Sequence, residues 1–145
     1  MKRSDSPIIV EVSFNSNKEA LWQAITDHSR MIQWFFDNIP DFQPQVGFKT
    51  RFEVSPGERT FTHCWEITEV KPFQKITYNW NYEEYPGDAF VTFEISPKHD
   101  QVTVKLTMDI IEDFPDEIPE FQLESCLGGW NYFLGENLKK YLEKI

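Results

Sequence analysis

Cysteine is scarce in this chain. Cys64 and Cys126 are the only two among 145 residues. They stand far apart, and neither has a neighbour at the short spacing of a zinc site or a disulfide framework. Both are read as reduced thiols in a reducing compartment, and no metal or cofactor is expected. Cationic side chains are also few: 14 Lys and Arg face 24 Asp and Glu, a formal net charge of -10. No window gathers those cations into a stripe, and so acidic a surface repels phosphate backbones, which excludes nucleic acid as a partner. Long apolar runs are missing as well. No stretch reaches the roughly 18 consecutive apolar residues of a membrane-spanning helix. The opening "MKRSDSPIIVEV" turns polar before a signal-peptide core could form. With no internal repeat or low-complexity tract, the expectation is a soluble cytoplasmic protein of one domain over residues 1–145, residues 1–6 being disordered.

Aromatic residues, by contrast, are abundant. The 13 Phe, 5 Trp and 5 Tyr make up 16% of the chain. So many large rings in a small domain either overfill a core or line a cavity.

Their spacing assigns most of them to strands. "PIIVEVSF" alternates, with Ile8, Val10, Val12 and Phe14 on one face. "NSNKEALWQAITD" opens with cap-type residues and spaces Ala20, Leu21, Ala24 and Ile25 along one helical side. "HSRMIQWFFDNIP" predicts a second short helix that delivers Met31, Trp34 and Phe35 before Pro40 ends it. From Val46 the period changes to two. Five successive segments place on one face Phe48, Thr50, Phe52 and Val54; Phe61, His63, Trp65 and Ile67; Ile76, Tyr78, Trp80 and Tyr82; Val91, Phe93 and Ile95; and Val102, Val104, Leu106, Met108 and Ile110. Short turn signals between them predict an antiparallel meander with one buried face. Lys49, Arg51, Glu66, Thr77, Asn79, Thr92, Lys105 and Asp109 fall on the other, polar face.

The buried face needs a cover, and the last segment supplies it. Leu123, Leu127, Trp130, Leu134, Leu138, Tyr141 and Ile145 follow at steps of four and three, a helical stripe more than five turns long. Gly128, Gly129 and Gly135 are anomalous there, since each costs about 1 kcal/mol relative to alanine inside a helix. Gly128 and Gly135 lie away from the Trp130 stripe. Either the glycines let the helix bend around the aromatic cluster, or they make room for another element such as a second subunit. The fold class expected is α+β: a curved six-stranded antiparallel sheet wrapping a long C-terminal helix, with two short helices after the first strand.

That order resembles the helix-grip fold of the START-like (SRPBCC) superfamily. "KEALWQAITDHSRMIQWF", "VGFKTRFEV", "ITEVKPFQKITYNW", "VTFEI" and "GGWNYFLGENLKKYLE" narrow the likeness to homologues of the heat-shock protein 90 ATPase activator C-terminal domain. The resemblance runs from about Pro7 to the end. It implies a deep cavity between sheet and terminal helix of the kind that holds lipids, hormones, polyketides or other apolar molecules across the superfamily. It also implies a heat-shock chaperone as an alternative partner, although the separate N-terminal domain of the eukaryotic activators has no counterpart in these residues.

The candidate ligand-binding residues are the inward set: Trp34, Phe48, Phe52, Phe61, His63, Trp65, Tyr78, Trp80, Tyr82, Phe93, Met108 and Trp130. They line a pocket or they interdigitate as a dry core. A receptor pocket is expected to hold about 300 Å³ or more. His63 sits on the buried face, where an imidazole must be hydrogen-bonded. It either orients a ligand or acts as a general base, or it is a core histidine satisfied by Tyr78 or a backbone carbonyl. Its neighbour Cys64 points to the opposite face, which rules out joint chelation. Cys126 reads as an inert small hydrophobe, and Glu112, Asp113, Asp116, Glu117 and Glu120 as solvated charges at a helix start. No catalytic residue is assigned. The leading expectation is a non-enzymatic binding protein for a small apolar or aromatic molecule, monomeric or weakly dimeric. The alternatives are a chaperone cofactor or stress-related adaptor, and a cyclase- or dehydratase-type enzyme with His63 as base.

Overall fold

The computed structural model describes residues 1–144. β1 (Ile8–Phe14) is followed by α1 (Lys18–Thr26) and α2 (His28–Met31), and then by β2 (Lys49–Val54), β3 (Phe61–Lys71), β4 (Lys75–Tyr82), β5 (Asp88–Lys98) and β6 (Gln101–Glu112). The six strands form one antiparallel sheet in the order β1-β6-β5-β4-β3-β2. The meander therefore brings the last strand back beside the first, Ile8 opposite Met108 and Val10 opposite Leu106. This is the expected α+β architecture.

Alternation explains the two faces. Along β6, Val102, Val104, Leu106, Met108 and Ile110 are all buried. Phe52, Phe61, His63, Trp65, Ile67, Ile76, Tyr78, Trp80, Val91 and Phe93 are buried on the same concave side. The convex side is polar and partly cross-linked, as between the Thr77 and Thr92 hydroxyls at 3.0 Å. Register shifts at Ile67/Glu69 in β3 and Asp88/Ala89 in β5 are bulges, which bend a sheet. α1 starts where the Asn17 side chain accepts the Ala20 N–H at 2.9 Å, and it buries Leu21, Trp22, Ala24 and Ile25.

The C-terminal rod departs from the expected winding. After a 3₁₀ turn at Pro119–Phe121 it runs as α3 (Leu123–Trp130), a π-helical segment (Asn131–Leu138) and α4 (Lys139–Lys144). The residues it buries are Trp130, Leu134, Leu138 and Leu142. In a regular α-helix each step of four residues gains about 40°, so such a row would rotate off the sheet. The wider i→i+5 turn takes up that drift and keeps the row in line. Leu142 accordingly replaces Tyr141, which is only half-buried, and Leu123 at the start of the row is 46% exposed. Ile145 lies outside the described residues. Gly128 and Gly129 stand in regular α-helix, and the interruption falls on the segment that contains Gly135.

The N-terminal hexapeptide, expected to be disordered, is tied down. Met1 is 7% exposed, its ammonium donates to the Phe121 carbonyl at 3.0 Å, and its own carbonyl accepts the Phe114 N–H. Asp113 accepts the Arg3 N–H at 2.7 Å and Asp116 pairs with Lys2 at 3.1 Å. The acidic loop after β6 thus fastens the start of the chain, a use the reading as solvated charges did not foresee.

Two glycines make opposite predictions. Gly87 has φ +122°, and a Cβ there would run into the buried Phe114 ring. Gly87→Ala should cost about 2–4 kcal/mol through strain and overpacking, lowering Tm by roughly 10 °C. A Cβ at Gly128 meets nothing within 4 Å, so Gly128→Ala should raise stability by up to about 1 kcal/mol. Calorimetry of the two variants checks both signs.

Candidate functional site

A cavity of about 130 Å³ lies between the sheet and the first half of the C-terminal rod. β3 contributes His63, β4 Trp80 and Tyr82, and β6 Met108, while Cys126, Gly129, Trp130 and Phe133 come from the rod. Phe35 and Phe36 close one side from the connection after α2, and Glu120, Phe121 and Met1 close another. Larger hollows exist, such as one of about 380 Å³ over Lys49, Arg51, Glu66, Asn79 and Asn81. That hollow is an open depression on the convex face, bordered by charged and amide side chains with Trp65 as its single aromatic residue among those described.

The local geometry follows from anchoring. Trp34 donates its Nε1–H to the Ala24 carbonyl at 2.8 Å, and its backbone carbonyl accepts from Asn137 Nδ2 at 3.2 Å. This fixes the connection after α2 to both α1 and the rod. Phe35 stacks on the Trp34 ring at 4.8 Å and meets Phe133 edge-on at 4.9 Å. Across the strands, His63 pairs with Tyr82 and Trp65 with Trp80, while Ala89 lies opposite Trp80. The small Ala89 leaves space above β5, and Trp130 descends to within 5.5 Å of Trp80 and 5.9 Å of Phe93, ring centre to ring centre.

His63 is buried among Phe36, Phe52, Trp80 and Tyr82, whose ring centres lie 4.8–5.5 Å away. Its Nδ1 lies 3.1 Å from the Phe61 carbonyl, so Nδ1 carries the proton and Nε2 is the acceptor nitrogen. Of the two partners expected for a core histidine, the carbonyl is the one present. Burial pulls its pKa down to about 4, against the opposing influence of that hydrogen bond and of the Glu84 charge. At neutral pH the ring is uncharged. Trp80 donates its Nε1–H to Tyr82 Oη at 2.9 Å, and burial holds the Tyr82 phenol above its ordinary pKa. Cys126 donates to Met108 Sδ at 3.6 Å. Burial pushes that thiol up to about 11, which keeps it protonated and weakly nucleophilic. Glu120 at the rim is paired with Arg59 at 3.3 Å.

Of the twelve residues expected to line a pocket, the structure brings His63, Trp80, Tyr82, Met108 and Trp130 to the cavity. Trp34, Phe48, Phe52, Phe61, Trp65, Tyr78 and Phe93 do not border it. They pack on one another and on neighbouring rings: Phe52 against Trp65 at 4.8 Å, Trp65 against Tyr78 at 5.0 Å, Tyr78 against Phe93 at 5.8 Å, and Phe42 against Phe48 at 6.1 Å. Most of the ring surplus is therefore core, and the residual volume falls short of the expected 300 Å³. Trp65 Nε1 is buried with no hydrogen-bond partner among the described residues. Phe36, Phe121 and Phe133 escaped the sequence reading because none of them lies on a strand or on the regular helical stripe. The one signal was that Phe36 adjoins Trp34 and Phe35.

Comparison with known proteins gives a family and a fold. No curated protein matches the chain. Among solved structures, protein MLL2253 from Mesorhizobium loti is 23% identical over 96% of this chain and 98% of its own, with a TM-score of 0.79. The Aha1 dimer from Colwellia psychrerythraea is 20% identical over 96% and 97%, with a TM-score of 0.71. DynU16, a protein of the dynemicin biosynthetic locus, is 22% identical with a TM-score of 0.77, and this chain spans 48% of its length. At such identities the likeness speaks for the fold, which is the helix-grip, START-like one. The family model described as activator of Hsp90 ATPase homolog 1-like protein matches residues 15–143, and the chain belongs to that family.

Proposed function

We propose that this protein is a single-domain cytoplasmic receptor that encloses a small apolar or aromatic molecule between its sheet and its C-terminal rod, without catalysing a reaction on it. The observation behind this reading is the ring-walled void of about 130 Å³ between the sheet and the first half of the rod. A void of this size suits a single ring, since an engineered apolar cavity of about 150 Å³ takes up benzene. His63, Trp80, Tyr82, Met108 and Trp130 are the ligand-contacting residues, and Phe35, Phe36, Phe121, Cys126 and Phe133 complete the wall. The cyclase or dehydratase alternative loses support at His63. With its pKa near 4 the imidazole is a weak base, far from the match to working pH that general-base catalysis favours.

A second reading, docking to a heat-shock chaperone, draws on the family's name and on the net charge of -10. It predicts binding to the chaperone that weakens steeply between low and high salt. A pull-down with no retention at low salt would remove it.

Tryptophan fluorescence and native mass spectrometry with single-ring apolar probes test the leading proposal. Toluene should quench the Trp80 and Trp130 emission saturably, and Cys126→Leu, which fills the void, should weaken that binding by about tenfold or more. Absence of saturable binding by every ring probe would end the proposal.

The buried imidazole also predicts an acid-side signature. Its pKa is about 6.5 in the unfolded chain and about 4 in the folded one. Between those values the unfolded state binds the extra proton, so stability falls with falling pH by about 1.4 kcal/mol per pH unit from this site alone. Above pH 6.5 the site contributes no slope. Urea denaturation of His63→Gln from pH 7 to pH 4 should show a correspondingly shallower loss than the natural chain.

A further inference from the structure

The cavity wall is mostly rings, and apart from the Glu120 carboxylate, the Met1 terminus and the Cys126 thiol it carries a pair of side chains with a definite hydrogen-bonding pattern. His63 and Tyr82 are cross-strand neighbours on β3 and β4, their ring centres 4.8 Å apart, and both border the void. The Phe61 carbonyl takes the Nδ1 proton of His63, which leaves Nε2 with a lone pair and no donor among the described residues. Trp80 Nε1–H donates to Tyr82 Oη, so the phenolic oxygen is already an acceptor and its own proton has no recipient among the described residues. The site thus offers one acceptor and one donor side by side. A hydroxyl group is complementary to both, because it donates once and accepts through its oxygen.

The rest of the wall defines what the hydroxyl is attached to. Phe35, Phe36, Trp130 and Phe133 present rings, and about 130 Å³ holds one six-membered ring. The charges at the void are already engaged: Met1 borders it with its ammonium donating to the Phe121 carbonyl, Glu120 at the rim pairs with Arg59, and the chain's net charge is -10. An anionic ligand would enter against that net field, give up its hydration and compete with the Phe121 carbonyl for the Met1 ammonium.

We infer that the occupant is a neutral single-ring phenol, its O–H donating to His63 Nε2 and its oxygen accepting from the Tyr82 hydroxyl. This rests on the receptor reading above and adds the chemical class of the ligand. It makes His63 and Tyr82 specificity determinants and the surrounding rings a generic apolar enclosure.

The test compares phenol, toluene and benzoate by tryptophan fluorescence titration at pH 7 on the natural chain, His63→Leu and Tyr82→Phe, with near-ultraviolet circular dichroism to confirm that each variant is folded. Phenol should bind about tenfold or more tightly than toluene, as two hydrogen bonds of ordinary net strength require, and benzoate should not compete. Each substitution removes one of the two hydrogen bonds and should cut the ratio of phenol to toluene affinity by about threefold or more, the ratio being read on the same variant. Should His63→Leu not fold, Tyr82→Phe alone decides, since it removes one hydroxyl and keeps the ring. Equal affinity for phenol and toluene on the natural chain would overturn the hydroxyl inference and leave the receptor reading standing. A preference for benzoate would overturn it likewise. Binding of none of the three would overturn both.

Discussion

The edge-to-face contact between Trp80 on β4 and Trp130 on the rod sets the geometry of this molecule. An indole is the bulkiest side chain available, and two of them meeting at 5.5 Å hold the rod away from the sheet at that point. Everything else between the two layers has to fill a gap of the resulting width. Towards the C-terminus Leu134, Leu138 and Leu142 do so and are fully buried. Towards the N-terminus of the rod the facing residues are small: Cys126, whose thiol meets Met108 of β6, and Gly129, which has no side chain. The void over His63, Tyr82 and Met108 is the consequence, and a methyl built on Gly129 would meet no atom within 4 Å. The cavity is thus a wedge effect of one oversized pair beside two undersized residues.

The same contact accounts for the winding of the rod. Trp130 fixes where the helix touches the sheet, and the row Trp130, Leu134, Leu138 and Leu142 has to stay over the concave face beyond it. Regular α-helix would carry that row round towards solvent. The π segment holds it in place at the expense of normal hydrogen-bond geometry, and it contains Gly135, whose lack of a side chain eases the unusual backbone path. The loop side has its own counterpart. Trp34, pinned between Ala24 and Asn137, brings Phe35 and Phe36 against Phe133, so the cavity's flank is assembled from two stretches of chain that nothing local would pair.

This division explains what could be read in advance. The strands, their buried faces and the α+β order were legible because a period of two survives in every strand and the turns between them are short. The position of His63 inside, with Cys64 on the opposite face, follows from the same alternation. The cavity was only half legible. His63, Trp80, Tyr82, Met108 and Trp130 are periodic residues and were found. Phe36, Phe121 and Met1 lie in non-periodic segments, and Phe133 falls off the stripe that 3.6 residues per turn prescribe. Alternation could not separate wall from core either, because Trp65 and Tyr78 obey the same pattern as Trp80 and yet bury their rings against one another. That separation depends on what packs over each ring from outside the sheet, Trp130 beside the void for Trp80 and Phe42 for both Trp65 and Tyr78. It is a property of three-dimensional volume.

Charge and cavity fit together on electrostatic grounds. The surface is acidic, while three titratable side chains of the cavity wall are held neutral by burial: the imidazole of His63 below its ordinary pKa, the thiol of Cys126 and the phenol of Tyr82 above theirs. A charged ligand would meet an opposing field if anionic. If cationic, it would give up its hydration inside for a site whose rim carboxylate is already paired with Arg59. A neutral ligand meets neither difficulty. Its affinity then depends on apolar area removed from water and on the few hydrogen bonds that a dry enclosure strengthens. For an occupant of one ring those hydrogen bonds are a large share of the total, so selectivity at this site is decided by the orientation of the His63 ring, and hence by the backbone carbonyl of Phe61 two residues before it.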